Sequence, residues 1–344
     1  MASIRKSTRP ARPRAKRAAT PALLPPVLSL IGRTPLIALP FGPEGLTIHA
    51  KAEFTNPSGS IKDRLAQYIL LNARRRGLLR RDSVILECTS GNTGISLAMV
   101  GAALGYRVKI LMSENASVER RHLIRHFGAE IQLFKPTHGY LTGIELAEKM
   151  ARADRRYFLP RQFENPLNAR DHEEHTGVEI LDQTPGSVDA FVSGYGTGGT
   201  LTGCGRALRR HNPAVQVIAM EPAEAAMLSG ESPCCHSIEG VAGGYVPPLL
   251  SGAKIDHVVK VSSAEARTMT RRLAREFGLL VGTSSGANVC AALQTARRLG
   301  RNARVVTILC DRAERYYSTS LFSSAPASAS AGEIEPEVSY AIGI

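Results

Sequence analysis

The sequence predicts an α/β protein built as two doubly wound domains with an active site in the cleft between them. Three observations carry that expectation. Between residues 27 and 322 short β-rich runs alternate with helical patterns, as in parallel sheets covered by helices on both faces. A glycine-rich turn follows a strand once in each half of that span, at 89–94 and at 196–200. The length of 344 residues accommodates two domains of ordinary size. The expected division is a disordered basic extension over 1–26, an N-terminal α/β domain over 27–165, a C-terminal α/β domain over 166–322 and a flexible tail over 323–344. Within the N-terminal domain, residues 87–160 are expected to form a mobile substrate-binding part.

The segment Asn56-Pro57-Ser58-Gly59-Ser60-Ile61-Lys62-Asp63-Arg64 begins as a Pro/Gly/Ser turn. It runs into a helical pattern from Lys62 to Ala73, with Leu65, Ile69 and Leu70 on one face. Strands are expected at 83–87, 107–111 and 130–134, with helices at 95–104, 118–127 and 141–153. The second half reads as strand 190–192, helix 201–210, strand 216–220, helices 264–277 and 287–299, and strand 305–309.

The net charge of +13 is uneven. Residues 1–20 hold seven basic residues and no acid, leaving only +6 for the remainder. The extension lacks an apolar face and is broken by Pro10 and Pro13, which opposes an amphipathic transit helix. No apolar run approaches the ~18 residues of a membrane helix, and the excess charge is concentrated in the short extension, so neither membrane nor nucleic acid is an expected partner. Six cysteines are scattered without a CxxC pair, which places the protein in a reducing compartment such as the cytoplasm. Organelle import through the basic extension is the alternative location. Pro233-Cys234-Cys235-His236 offers metal-type ligands, but adjacent positions cannot close a tetrahedral site, and no metal is expected.

Three features carry chemistry. Lys62 sits in the first turn of a helix, where a cation is disfavoured and an amine of lowered pKa has a use. Thr89-Ser90-Gly91-Asn92-Thr93-Gly94 gathers hydroxyls, an amide and backbone N–H groups at a helix start, which suits a carboxylate. Gly196-Thr197-Gly198-Gly199-Thr200 is a phosphate cradle on a helix dipole, lacking both the Walker lysine and the G-x-G-x-x-G spacing. Together they point to pyridoxal phosphate, with its aldehyde on Lys62, its phosphate at 196–200 and a substrate carboxylate at 89–94.

At these motifs the chain resembles the O-acetylserine sulfhydrylase (cysteine synthase) and cystathionine β-synthase family of fold type II pyridoxal phosphate enzymes. Further matching segments are Gln162-Phe163-Glu164-Asn165-Pro166, Ile238-Glu239-Gly240-Val241-Ala242-Gly243-Gly244-Tyr245, Gly282-Thr283-Ser284-Ser285-Gly286-Ala287 and Glu314-Arg315-Tyr316-Tyr317-Ser318-Thr319. The resemblance implies that Lys62 is the Schiff-base lysine and that Asn92 hydrogen-bonds the cofactor's 3′ oxygen. It assigns the substrate carboxylate to Thr89, Ser90, Thr93 and Gln162, with Gly240 beside the substrate. It assigns the phosphate to Gly196, Thr197, Gly198, Gly199 and Thr200, and the pyridine nitrogen to Ser284. A hydroxyl at Ser284 cannot keep the ring protonated as a carboxylate would, which weakens the electron sink and fits rapid β-elimination.

The implied reaction is replacement of the acetate of O-acetylserine by sulfide, giving L-cysteine. O-Phosphoserine, thiosulfate, homocysteine or an amine nucleophile are the alternatives, and a catalytically idle partner-binding paralogue is the reading from another class. Ala242 stands where relatives that make cysteine often have glycine, so donor or nucleophile choice is expected to differ there. The implied assembly is a homodimer. Serine acetyltransferases are the family's partners, docking a C-terminal isoleucine carboxylate, and Ile344 raises the expectation that the chain's own tail reaches the same site.

Overall fold

The computed structural model describes residues 24–89, 91–135, 140–232 and 234–323. The expectations for Ser90, for the tail ending at Ile344 and for the first 23 residues lie outside that range. In chain order the elements are β1 (Leu36–Phe41), β2 (Leu46–Ala52), α1 (Lys62–Arg75), β3 (Val84–Cys88), α2 (Asn92–Leu104), β4 (Arg107–Ser113), α3 (Val118–His126), β5 (Glu130–Phe134), α4 (Tyr140–Ala153) and β6 (Tyr157–Phe158). They continue with α5 (Pro166–Asp171), α6 (Gly177–Gln183), β7 (Ala190–Gly194), α7 (Gly199–His211), β8 (Gln216–Pro222), β9 (His257–Val261), α8 (Ser263–Phe277), α9 (Thr283–Leu299) and β10 (Val305–Leu309). A single π turn, His172–Thr176, joins α5 to α6.

Two sheets result. The smaller runs β5-β4-β3-β6 and is parallel throughout. The larger runs β1-β2-β10-β7-β8-β9, parallel except for the β1–β2 pair. Central strands of such sheets are covered on both faces, and Val305-Val306-Thr307-Ile308-Leu309 is buried at every position, as its continuous apolar run requires. The same logic makes α2 apolar almost all round, with Thr93 through Gly101 buried.

Residues 36–52, expected within the N-terminal domain, hydrogen-bond into the larger sheet. β2 lies beside β10 with Ile48 opposite Val305, so this sheet draws on both ends of the chain. The sequence pattern does not reveal the β1–β2 pair, because Pro40 interrupts the first run. A proline is tolerated there since β1 is the sheet's edge. The short helices between Pro166 and Gln183 and strand β9 escape the sequence pattern as well. Among the described residues no helix is long and apolar enough to cross a membrane.

A buried charge set fixes α1 to this scaffold. Arg64 donates from Nε and Nη2 to the two oxygens of Glu53, at 2.7 Å each. From Nη1 and Nη2 it also reaches Glu179, at 2.8 and 2.7 Å. Lys51 pairs with Glu179 at 2.7 Å. Two cations and two carboxylates thus balance inside the protein, two residues beyond Lys62.

Candidate active site

Lys62, Thr89, Asn92, Thr93, Gln162, Gly196, Thr197, Gly198, Thr200, Gly240 and Ser284 line one cleft of about 260 Å³. Every expected site residue within the described range is among them except Gly199, which opens α7 at its floor. Burial pushes the Lys62 ammonium below the ordinary lysine range, against the opposing pull of Cys310, Asp311 and Glu53. The turn before it is pinned by Ile61 N–H donating to the Cys310 carbonyl at 2.9 Å.

The cleft's electrostatics come from helix ends. α2, α7 and α9 all begin here, each behind a glycine, with no side-chain cap and no acid in the first turn. By contrast α8, which starts elsewhere, carries a full Ser262/Glu265 capping box. A helix start left uncapped keeps free N–H groups and a partial positive charge, which is what an anion needs.

The α2 start is held from below. Thr93 donates to Gln162 Oε1 at 2.6 Å, and Gln162 Nε2 donates to the Cys88 carbonyl at 3.0 Å. The side chain of Gln162 is therefore already engaged at both ends, bracing the loop. Behind it lies Glu87, whose carboxyl accepts from the Cys88 and Gln162 N–H groups, at 3.1 Å each. Burial raises that carboxyl to about 7.

The α7 start is glycine-lined for a reason. A Cβ on Gly196 would sit 2.4 Å from the Gly240 carbonyl, and Gly198 has φ +82. Two residues missed in the sequence support this loop. Asn168 Nδ2 donates to Thr197 Oγ1 at 2.9 Å, and His172 Nε2 lies 3.2 Å from Thr200 Oγ1. Burial drives His172 down to about 3, so the ring is neutral. Their i, i+4 spacing directly after the Asn165-Pro166 helix start was the available signal.

Across the cleft Arg120 Nη2 pairs with Glu239 at 2.9 Å and stacks its guanidinium 5.1 Å from the Tyr316 ring. Ala242 adopts φ +43, a left-handed conformation that strains a residue with a Cβ. His236 braces it, lying with Nε2 3.2 Å from the Ala242 carbonyl and Nδ1 accepting from Ile238 N–H at 3.2 Å. Cys234 and Cys235 are exposed, and among the described residues no group of His, Cys, Asp or Glu is arranged to hold a metal.

Residues 27–311 match the family described as pyridoxal-phosphate dependent enzyme. The chain belongs to this family. It is 41% identical over 300 residues to a cysteine synthase of Staphylococcus aureus, a match covering 86% of this chain and 96% of that protein. It is 45% identical to the O-ureido-L-serine synthase of Streptomyces lavendulae, over 86% of this chain and 92% of that one. The crystal structure of the O-acetylserine dependent cystathionine beta-synthase from Helicobacter pylori superposes with a TM-score of 0.83 at 35% identity, covering 86% of this chain and 98% of that chain.

The protein is thus a pyridoxal phosphate-dependent enzyme of fold type II. The residues present fit that cofactor. The acid-free α7 start, the glycines that leave no Cβ over it and the two threonine hydroxyls suit a phosphate dianion. A half-buried amine of lowered pKa lies in the same cleft.

Proposed function

We propose that this enzyme exchanges the β-substituent of an activated L-serine, with O-acetylserine as donor and sulfide as nucleophile, yielding L-cysteine and acetate. The observation that carries the reading is Lys62, an amine of lowered pKa, in a cleft where three uncapped, acid-free helices begin. Lys62 would hold the cofactor's aldehyde carbon, the 196–200 loop its phosphate, and Ser284 its ring nitrogen. The cofactor supplies an electron sink for the bond that breaks at the substrate Cα.

The chain's own residues supply the rest. Thr89, Ser90 and the α2 N–H groups, that of Thr93 among them, would bind the donor carboxylate, with Gln162 and the Thr93 hydroxyl keeping the loop in shape. Displaced by the donor's amine, Lys62 Nζ is the base that takes the Cα proton. Ser284 lies in the first turn of α9, where the helix dipole disfavours a cationic ring nitrogen. That favours elimination of the β-substituent over slower chemistry at Cα. Arg120, Glu239 and Tyr316 line the cleft and limit water.

A second reading replaces sulfide by another nucleophile. It is favoured by the 45% identity to O-ureido-L-serine synthase and by strained Ala242 beside the substrate. Incubating the holoenzyme with O-acetylserine or O-phosphoserine, each against sulfide, thiosulfate, homocysteine and hydroxyurea, tests both. Sulfide should give the highest kcat/KM. A hydroxyurea preference would install the second reading, and no turnover with any pair would remove both. We further read the protein as a cytoplasmic homodimer, which sedimentation would test, with a serine acetyltransferase as partner, which co-purification would test.

A further inference from the structure

Asn92 opens α2 and lines the cleft, and its amide is gripped at both ends. Its Oδ1 accepts from Arg315 Nη1 at 2.5 Å, and its Nδ2 donates to Asp311 Oδ2 at 2.5 Å. An amide oxygen held by a guanidinium cannot trade places with its nitrogen, because the nitrogen would then face a donor that accepts nothing. The carboxylate on the other side accepts only, so it enforces the same choice. One Nδ2 hydrogen remains, and the cleft therefore meets a donor from Asn92.

We propose that Asp311 and Arg315 are positioning residues that lock the Asn92 amide with its donor toward the cleft, selecting an acceptor oxygen on the cofactor ring. This rests on the reading that Asn92 faces that ring oxygen, and it holds whichever donor and nucleophile the enzyme uses.

Both residues are themselves fixed from the lysine turn. Arg315 Nη2 donates to the carbonyls of Ser58 and Gly59 at 2.8 and 3.0 Å. Asp311 forms a β-bridge with Ser60, accepts the Tyr316 hydroxyl at Oδ2, and is almost fully buried. Its Oδ1 has no partner among the described residues and presses on Gly282, where a Cβ would come within 2.3 Å. A carboxylate so confined cannot swing away. The segment that leaves β10 thus ties the Lys62 turn to the first residue of the carboxylate-binding helix.

The test is a mutant cycle on the holoenzyme, read by the absorption band of the bound cofactor and its dissociation constant. Asp311→Ala should shift the band and weaken cofactor retention roughly tenfold or more, the effect of one lost charged hydrogen bond. Asp311→Asn keeps an acceptor oxygen for Asn92 and Tyr316 and should restore retention. In an Asn92→Ala background Asp311→Ala should weaken retention no further, while the band still registers the loss of Asp311's own pull on Lys62. Arg315→Leu, run through the same cycle, carries the test should Asp311→Ala fail to fold. An undiminished effect on retention in the Asn92→Ala background, or an Asp311→Asn protein as impaired in retention as Asp311→Ala, would overturn the proposal. Both readouts are independent of turnover, so a wrong donor or nucleophile would leave them unchanged.

Discussion

Replacing Glu179 by glutamine removes one carboxylate from the balanced set that anchors α1. Burial alone would raise Glu179, but Arg64, Lys51 and the Arg33 N–H hold it near 2, against 4.5 for an ordinary glutamate. That difference is worth about 3 kcal/mol in the folded state. The side chain is 16% exposed, so solvent screening removes little of it. A folded-state pKa below the unfolded one means stability that is present above pH 4.5 and lost as pH falls toward 2. Urea unfolding of wild type and Glu179→Gln, followed by circular dichroism, measures this directly. At pH 7 the variant should be less stable by about 3 kcal/mol, with the gap narrowing once pH drops below that of an ordinary glutamate. A loss under about 1 kcal/mol at pH 7, or a gap indifferent to pH, would mean that Glu179 does not anchor α1 through its charge.

Three further outcomes are expected. Thr89→Ala should weaken donor binding by roughly 1–3 kcal/mol, read as KM with kcat less affected, since it removes a hydrogen bond to a carboxylate. Glu87 is raised to about 7, so its stabilising effect is full below pH 4.5 and lost as pH rises through 7. Glu87→Gln should therefore flatten the pH dependence of stability across that interval, seen in melting temperatures at stepped pH. Ala242→Gly should relieve strain of about 1 kcal/mol and raise thermal stability. In the same variant a changed ratio of kcat/KM between sulfide and a bulkier nucleophile would place that loop at the acceptor's position, and an unchanged ratio would remove it.

The alternating runs make most helices and strands readable, because both sheets are largely parallel and their central strands are mostly apolar runs, as 305–309 shows. The β1–β2 pair escapes because its burial depends on β10, more than 250 residues later, which local patterning cannot register. At the site, Lys62 and the two glycine-rich loops are legible since each needs a special backbone beside a helix start. Asn168, His172, Asp311 and Arg315 are not. They act by touching loops that come from distant parts of the chain; the i, i+4 spacing of Asn168 and His172 and the Glu314–Thr319 motif around Arg315 mark their segments without showing which loop each side chain meets. The motif around Gln162 suggests a substrate ligand, whereas its amide is engaged by Thr93 and Cys88. That geometry supports a bracing role within the same carboxylate site.

On the proposed function, Lys62 carries elimination from an activated serine before any nucleophile arrives. Rapid mixing of the holoenzyme with O-acetylserine alone, with quantitation of released acetate, tests it most directly. The wild type should give a burst approaching one acetate per active site, and Lys62→Ala none. An equal burst from Lys62→Ala, or a wild type that releases acetate only once sulfide is added, would contradict it.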